Sequence, residues 1–218
     1  MRSDGPTTPL PTDPAPEPAA AEREVLSLLE ACGALRRGHF LLSSGLHSAA
    51  YVQCALLLEE PRRARRVGEL LAARFAASLA GTGVDSVLSP ALGGVIVGHE
   101  VAAALGVPFR FAERDGERLA LRRGFSLAAG ERVVVIEDVV TTGKSTRETA
   151  ELALAAGAEV VGIGAILDRS PGPLDLPTPL TALARLDLPA HRPEACPLCA
   201  AGSAPEKPGS RPRPSAAR

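Results

Sequence analysis

The chain has 218 residues, a formal net charge of −1, 45% hydrophobic and 22% charged residues, which is one globular domain with trimmings and no global pull toward nucleic acid or anionic membrane. No apolar run approaches about 18 residues, so a spanning helix is excluded, and the start of the chain lacks the apolar stretch of a secretory signal, which gives a cytoplasmic expectation. Four cysteines in a chain of this size do not make a disulfide framework.

Proline marks the ends. Six of the 20 prolines fall in residues 1–18 and six more in 193–218. We therefore expect a disordered Pro/Ala-rich tail over 1–20, one domain over 21–192 and a mobile Pro-rich tail over 193–218. Residues 21–32 set Val25, Leu28, Leu29 and Cys32 on one helical face. Residues 38–53 read as two short extended runs around a Ser-Ser-Gly turn. Pro61 opens a helix to about residue 80 with Val67, Leu70, Leu71 and Phe75 inward, and the arginines at 62, 63, 65 and 66 form its solvated start. A strand over Val84–Ser89, a helix over VIVGHEVAAAL and a strand near Val107–Ala112 follow. Asp115-Gly116 signals a hairpin turn. Arg132–Ile136 is a β-branched run of a fully buried strand, then comes a polar loop, a helix over about 144–156 and another buried strand over Val160–Leu167. Strand, loop, helix and strand in this rhythm predict an α/β fold, a mostly parallel sheet flanked by helices.

The chemistry concentrates in VVVIEDVVTTGKST, residues 133–146. A buried strand delivers Glu137 and Asp138 to its carboxyl end, where ligands bind in open α/β sheets. Thr141, Thr142, Gly143, Lys144 and Ser145 then open a helix whose free backbone N–H groups suit a phosphate. The two acids suit a sugar diol or a Mg²⁺-ligated group. A nucleoside-triphosphate loop ending in Gly143-Lys144-Ser145 would need a glycine at 138, where Asp138 stands, so that reading fails. A surface turn capped by two acids would not explain why so many hydroxyls gather beside them.

Glu137–Ser145 resembles the phosphoribosyl-diphosphate (PRPP) motif of type I phosphoribosyltransferases. Phe40–Val52 resembles the N-terminal hood of the orotate phosphoribosyltransferases, Ser89–Gly94 (SPALGG) their diphosphate loop, and Leu167-Asp168-Arg169 the strand end that carries their orotate-binding arginine. The resemblance runs from about residue 22 to 190. It implies a type I phosphoribosyltransferase fold with a small N-terminal hood over about 21–60 and a core over about 61–192. It implies transfer of ribose 5-phosphate from PRPP to N1 of orotate, with Mg²⁺ held mainly by substrate oxygens, in a homodimer. Residue by residue, Glu137 and Asp138 would take the ribose hydroxyls. Val139 through Ser145 would cradle the 5′-phosphate. Thr141, Arg169 and Tyr51, with Val52 beside it, would meet orotate.

Two departures stand out. Ser43 and Gly93 occupy positions where well-known members carry lysines. The stretch matching the mobile catalytic loop, Glu113–Arg123, is short and carries Arg114, Arg118, Arg122 and Arg123. Arg114 is the expected replacement for the loop lysine, as a diphosphate-gripping cation and not a proton donor. Cys196 and Cys199 read as reduced, inert thiols in a flexible tail, and no protein metal site is assigned. His39 and His99 read as satisfied residues, and His47 as a possible lining of the site. Two alternatives remain at this point: a phosphoribosyltransferase for a purine, which offers no carboxylate to Arg169, and a silent PRPP-sensing or RNA-binding regulator, which would need a basic face.

Overall fold

The computed structural model describes residues 17–208, except Ser43 and Ala80. A six-stranded sheet forms the centre, with β3 (Ser86–Pro90), β4 (Phe109–Asp115), β5 (Arg118–Leu121), β6 (Arg132–Val140), β7 (Glu159–Asp168) and β8 (Leu180–Arg185) in the order β5-β4-β3-β6-β7-β8. Every neighbouring pair is parallel except the β4–β5 hairpin. The mostly parallel sheet of the sequence reading is therefore present. β6 sits inside it, which is why Val133 through Ile136 are all fully buried.

Alternate residues of β6 serve opposite faces. Val134 and Ile136 join the main core with α3 (Pro61–Ser78) and α4 (Gly93–Leu105), while Val133 packs with Ala153 and Val135 with Ala150 of α5 (Lys144–Ala155). α3 starts as its sequence predicts: Pro61 is the first helical residue, and the Glu60 carboxylate accepts the backbone N–H groups of Arg62 and Arg63 at 3.0 Å. Phe75 of α3 lies flat on β7, where glycine makes room. An added Cβ would stand 2.8 Å from the Phe75 ring at Gly162 and 2.7 Å at Gly164.

The hood is a second, antiparallel sheet of β1 (Leu35–Leu41), β2 (His47–Val52) and β9 (Ala190–His191), in the order β1-β2-β9. α1 (Pro18–Ala31) packs beneath it and against β8, and α2 (Cys54–Leu58) leads from β2 into α3. The expected tails differ from the structure where it describes them. α1 begins at Pro18, inside the segment expected to be disordered, because Pro is suited to a first helical turn and Ala21 and Val25 find the core. Residues 1–16 and 209–218 lie outside the described residues.

The carboxyl-terminal segment is not a mobile tail over 193–208. A 3₁₀ turn (Pro193–Ala195) and α6 (Pro197–Ala200) fold onto the hood, followed by a strand-like stretch at Glu206. Glu206 exchanges backbone hydrogen bonds with Leu41 and His39, both 2.8 Å, and grips Arg36 with both carboxylate oxygens, at 3.0 and 2.8 Å. Proline composition concealed this docking. The partners lie some 170 positions away in sequence.

Candidate active site

The acid pair lies inside β6, not after it. Pairing with β7 continues to Val140↔Asp168, so Glu137 and Asp138 are held in extended backbone near the strand's end. Glu137 is buried, and its Oε2 accepts the Ser145 hydroxyl at 2.8 Å, which ties the strand to the first turn of α5. Asp138 Oδ1 accepts the Val139 N–H at 2.9 Å. Burial, then the charge of the neighbouring Asp138, pushes the Glu137 carboxyl up to about 8. Burial likewise raises Asp138. Among the described residues no lysine or arginine pairs with either acid. The pair is a stored demand for a cation or for hydroxyl donors.

The turn between β6 and α5 has three residues. Thr141 and Thr142 are exposed, and Gly143 caps α5 with φ +72°, a left-handed conformation that favours glycine. The Thr142 hydroxyl accepts the Lys144 N–H at 3.4 Å. Gly143 has no side chain to cap the helix, so beyond the Lys144 N–H held by Thr142 the first-turn N–H groups have no side-chain partner. The Lys144 side chain is 71% exposed and leans toward Glu148 at 3.8 Å. Its ammonium thus lies on the helix surface beside Glu148, while its backbone N–H sits in the first turn. Val140 is buried, and Val139 packs against the core, so both contribute main chain only.

Three other segments converge here. The SPALGG loop follows β3. At Gly93 a Cβ would stand 2.5 Å from Asp138 Oδ1. Any side chain at 93 therefore requires the Asp138 carboxylate to turn aside. Arg169 follows β7, and its backbone N–H donates to Val140 O at 2.8 Å. Its guanidinium is half-buried, burial lowers its pKa, and Nε is buried with no hydrogen-bond partner. A buried guanidinium N–H without a partner carries a desolvation cost that an incoming acceptor would relieve. Cys54, at the start of α2, joins these groups electrostatically: burial raises its thiol pKa, the Asp138 carboxylate raises it further, and the Arg169 guanidinium opposes both. The hood's exit is therefore adjacent to both functional strand ends.

Other expected residues lie elsewhere or are engaged. Arg114 forms an ion pair with Glu148 at 2.6 Å and donates to the Glu117 carbonyl at 2.9 Å. Glu148 thus holds both Arg114 and Lys144, and its role was overlooked although its spacing of four from Lys144 is a standard helical signal. Arg123 takes a left-handed φ of +56° and bonds Glu113 through two nitrogens, at 2.7 and 2.9 Å. Arg118 and Arg122 are exposed. The tight turn has Gly116 and Glu117 at its tip, one residue beyond the expected pair. Tyr51 rests on Phe40 with ring centroids 5.9 Å apart, within the hood. His47 does not line this site; it is buried against His39. Ser43 lies outside the described residues. The cleft of about 360 Å³ beside β8 contains the Asp168–Arg185 pair and Leu174 but neither acid of β6.

Residues 55–177 match the family model of the phosphoribosyl transferase domain. The chain is 50% identical over 187 residues to the orotate phosphoribosyltransferase of Thermotoga maritima, covering 86% of this chain and 98% of that protein. It is 47% identical over 188 residues to the orotate phosphoribosyltransferase of Pelotomaculum thermopropionicum, covering 86% and 97%. The crystal structure of orotate phosphoribosyltransferase from Aeropyrum pernix superposes with a TM-score of 0.62 at 25% identity, over 74% of this chain and 93% of that one.

Proposed function

The chain belongs to the phosphoribosyltransferase family, in its orotate branch, and on that footing we propose that it transfers the 5-phosphoribosyl group of PRPP to N1 of orotate. The products are orotidine 5′-monophosphate and diphosphate, a step of pyrimidine biosynthesis. One observation carries the reading: an acid pair with no paired cation among the described residues, Glu137 buried and Asp138 half-buried, lies one tight turn from a helix N-terminus that its glycine N-cap leaves open, with an unpaired buried guanidinium N–H on the adjacent strand end.

Glu137 and Asp138 accept the ribose hydroxyls and so fix the sugar. The N–H groups and hydroxyls over Thr141–Ser145 receive the 5′-phosphate. Arg169 turns its planar fork to the orotate carboxylate, with Thr141 beside it. Between these anchors the C1′–O bond to diphosphate breaks as the N1–C1′ bond forms. Positive charge develops on the ribose, and the buried carboxylates lie near it. The chain's task is to hold the reactants, exclude water and balance the leaving group.

The residues fit a Mg²⁺ ion that arrives with PRPP. Glu137 and Asp138 are hard oxygen donors that no cation pairs with among the described residues, and with the ribose oxygens they would hold the ion. When bound, Mg²⁺ would offset the charge of the departing diphosphate. Arg114 is the remaining candidate cation, available once released from Glu148. A homodimer and a cytoplasmic setting belong to the same reading and rest on the family alone.

The relatives' orotate specificity and the orphaned Arg169 both favour orotate over a purine, and a net charge of −1 gives an RNA-binding regulator no support. The test is to mix protein, Mg²⁺, PRPP and orotate and follow orotate loss in the ultraviolet. Turnover with orotate and none with adenine or hypoxanthine is expected. Turnover confined to a purine, or with no base at all, overturns the reading.

A further inference from the structure

Away from the acid pair, four metal-ligating side chains converge from both ends of the chain. His39 is on β1, His47 on β2, and Cys196 and Cys199 flank the first turn of α6. Their donor atoms all lie within 4.8 Å of one another. His39 Nε2 is 3.5 Å from Cys196 Sγ, 3.8 Å from Cys199 Sγ and 2.9 Å from His47 Nδ1, and Cys199 Sγ is 3.3 Å from His47 Nδ1. A tetrahedral ion with bonds of about 2.0–2.1 Å to nitrogen and about 2.3 Å to sulfur has edges of roughly 3.3–3.8 Å, which these separations approach.

Local structure explains the convergence. The Cys-Pro-Leu-Cys spacing around a helix start turns both thiols to one side, with Pro197 as the first helical residue. β1 buries His39 and Phe40 in succession at a register irregularity, Phe40 against Tyr51 and His39 against the docked carboxyl-terminal segment. His39 Nδ1 lies 2.9 Å from the Ser203 carbonyl, an acceptor only. Nδ1 must therefore carry the proton, which leaves the Nε2 lone pair facing the other three groups. One lone pair cannot satisfy three neighbours by hydrogen bonding, whereas one cation can take all four donors. A backbone carbonyl orienting a ligating histidine is the usual outer support of such an ion.

We propose that this cluster binds one Zn²⁺ ion as a closed structural site, with Cys196 Sγ, Cys199 Sγ, His39 Nε2 and His47 Nδ1 as its ligands. Two nitrogens and two sulfurs without oxygen donors select a borderline-soft tetrahedral ion. Both thiols lose their protons to solvent on binding, and two thiolates with two neutral imidazoles leave the site uncharged. No oxidation state changes. Four protein ligands leave no open position for chemistry. The ion clips the carboxyl-terminal segment to the hood, closing a loop of some 150 residues between His47 and Cys199.

The test uses the full chain, purified under reductant without chelator. Elemental analysis is expected to find one zinc per chain. Protein stripped with a chelator should bind Co²⁺ with intense tetrahedral visible bands and a thiolate-to-cobalt charge-transfer band, and Zn²⁺ should abolish both. Zinc uptake at pH 7 should release close to two protons, and stripping should lower the thermal midpoint by roughly 10 °C. Joint replacement C196S/C199S should remove the cobalt bands, while K207A keeps them. Less than a tenth of a zinc per chain together with a weak octahedral cobalt spectrum in the reduced, folded wild-type protein would overturn the proposal. So would a mass two hydrogens low, showing a Cys196–Cys199 disulfide under thiol buffer.

Discussion

Replacing Arg169 separates recognition of the base from recognition of the sugar phosphate. The Nε of Arg169 is buried and unpaired in the free chain, and the guanidinium is half-buried. A carboxylate would supply charge-assisted bonds worth about 1.5–3 kcal/mol each, and truncating one partner of such a pair costs about 2–5 kcal/mol. Arg169→Ala should therefore lower kcat/KM for orotate by roughly 10²–10³-fold at saturating PRPP. PRPP affinity, measured by calorimetry without orotate, should change less than about threefold, because among the described residues the Arg169 side chain makes no hydrogen bond or ion pair to Thr141–Ser145. Stability should move the other way. Removing a buried donor without a partner relieves about 1–3 kcal/mol, so the thermal midpoint of the free variant should hold or rise. Arg169→Lys should recover only part of the loss, since an ammonium cannot make the two-pronged contact. A kcat/KM within threefold of the parent, or a PRPP affinity falling in step with it, would refute this assignment.

Glu137→Gln combined with Asp138→Asn should weaken PRPP binding by at least about 10²-fold while the circular dichroism spectrum is kept, since several hydrogen bonds to charged acceptors are lost. Between pH 4.5 and about 8 the folded free chain holds a proton on Glu137 that the unfolded chain has given up, so its stability should fall as pH rises through that window; thermal melts that are flat in this range, or no steeper than those of Glu137→Gln, would contradict it. PRPP with Mg²⁺ should reverse the preference, and calorimetry at pH 7 in buffers of different ionisation enthalpy should register proton release. Arg114→Ala should lower kcat several-fold with little effect on the orotate KM, and unchanged turnover would free the hairpin of any catalytic part. Gly164→Ala places a Cβ 2.7 Å from Phe75 and should cost about 1–3 kcal/mol by overpacking, read as a lower denaturation midpoint with an unchanged slope.

What could be read in advance followed the range of the signal. β6, α5 and β7 announce themselves through local runs of β-branched residues and a tight turn, and the acids and phosphate loop come with them because they are contiguous. The extent of β6 was underestimated, because two adjacent acids look like the end of a strand until the β7 ladder is seen to continue to Asp168. β8, with Leu180–Arg185 alternating only weakly, and the two-residue β9 had no pattern strong enough to detect. The docked carboxyl-terminal segment was misjudged for a related reason. Its composition is that of a tail, and its partners, main-chain groups of β1 together with the Arg36, His39 and His47 side chains, lie far away in the sequence.

The same distinction explains the cations. A lysine at 93 looks like a missing functional group when positions are compared one at a time. In three dimensions Gly93 and Asp138 share one volume, and the carboxylate has it. A side chain at 93 would displace the carboxylate that the proposed function assigns to the ribose hydroxyls. The charge of the leaving diphosphate must then be met by groups that approach from outside this contact. Arg114 and Lys144 both stand over α5, and both are held by Glu148, which is largely buried while they are exposed. Glu148→Gln should therefore loosen both cations at once. If either acts on the diphosphate, this variant changes kcat while leaving Arg169 and its orotate KM untouched. If neither does, only the local ion pairs are lost, and the salt dependence of turnover stays as it was.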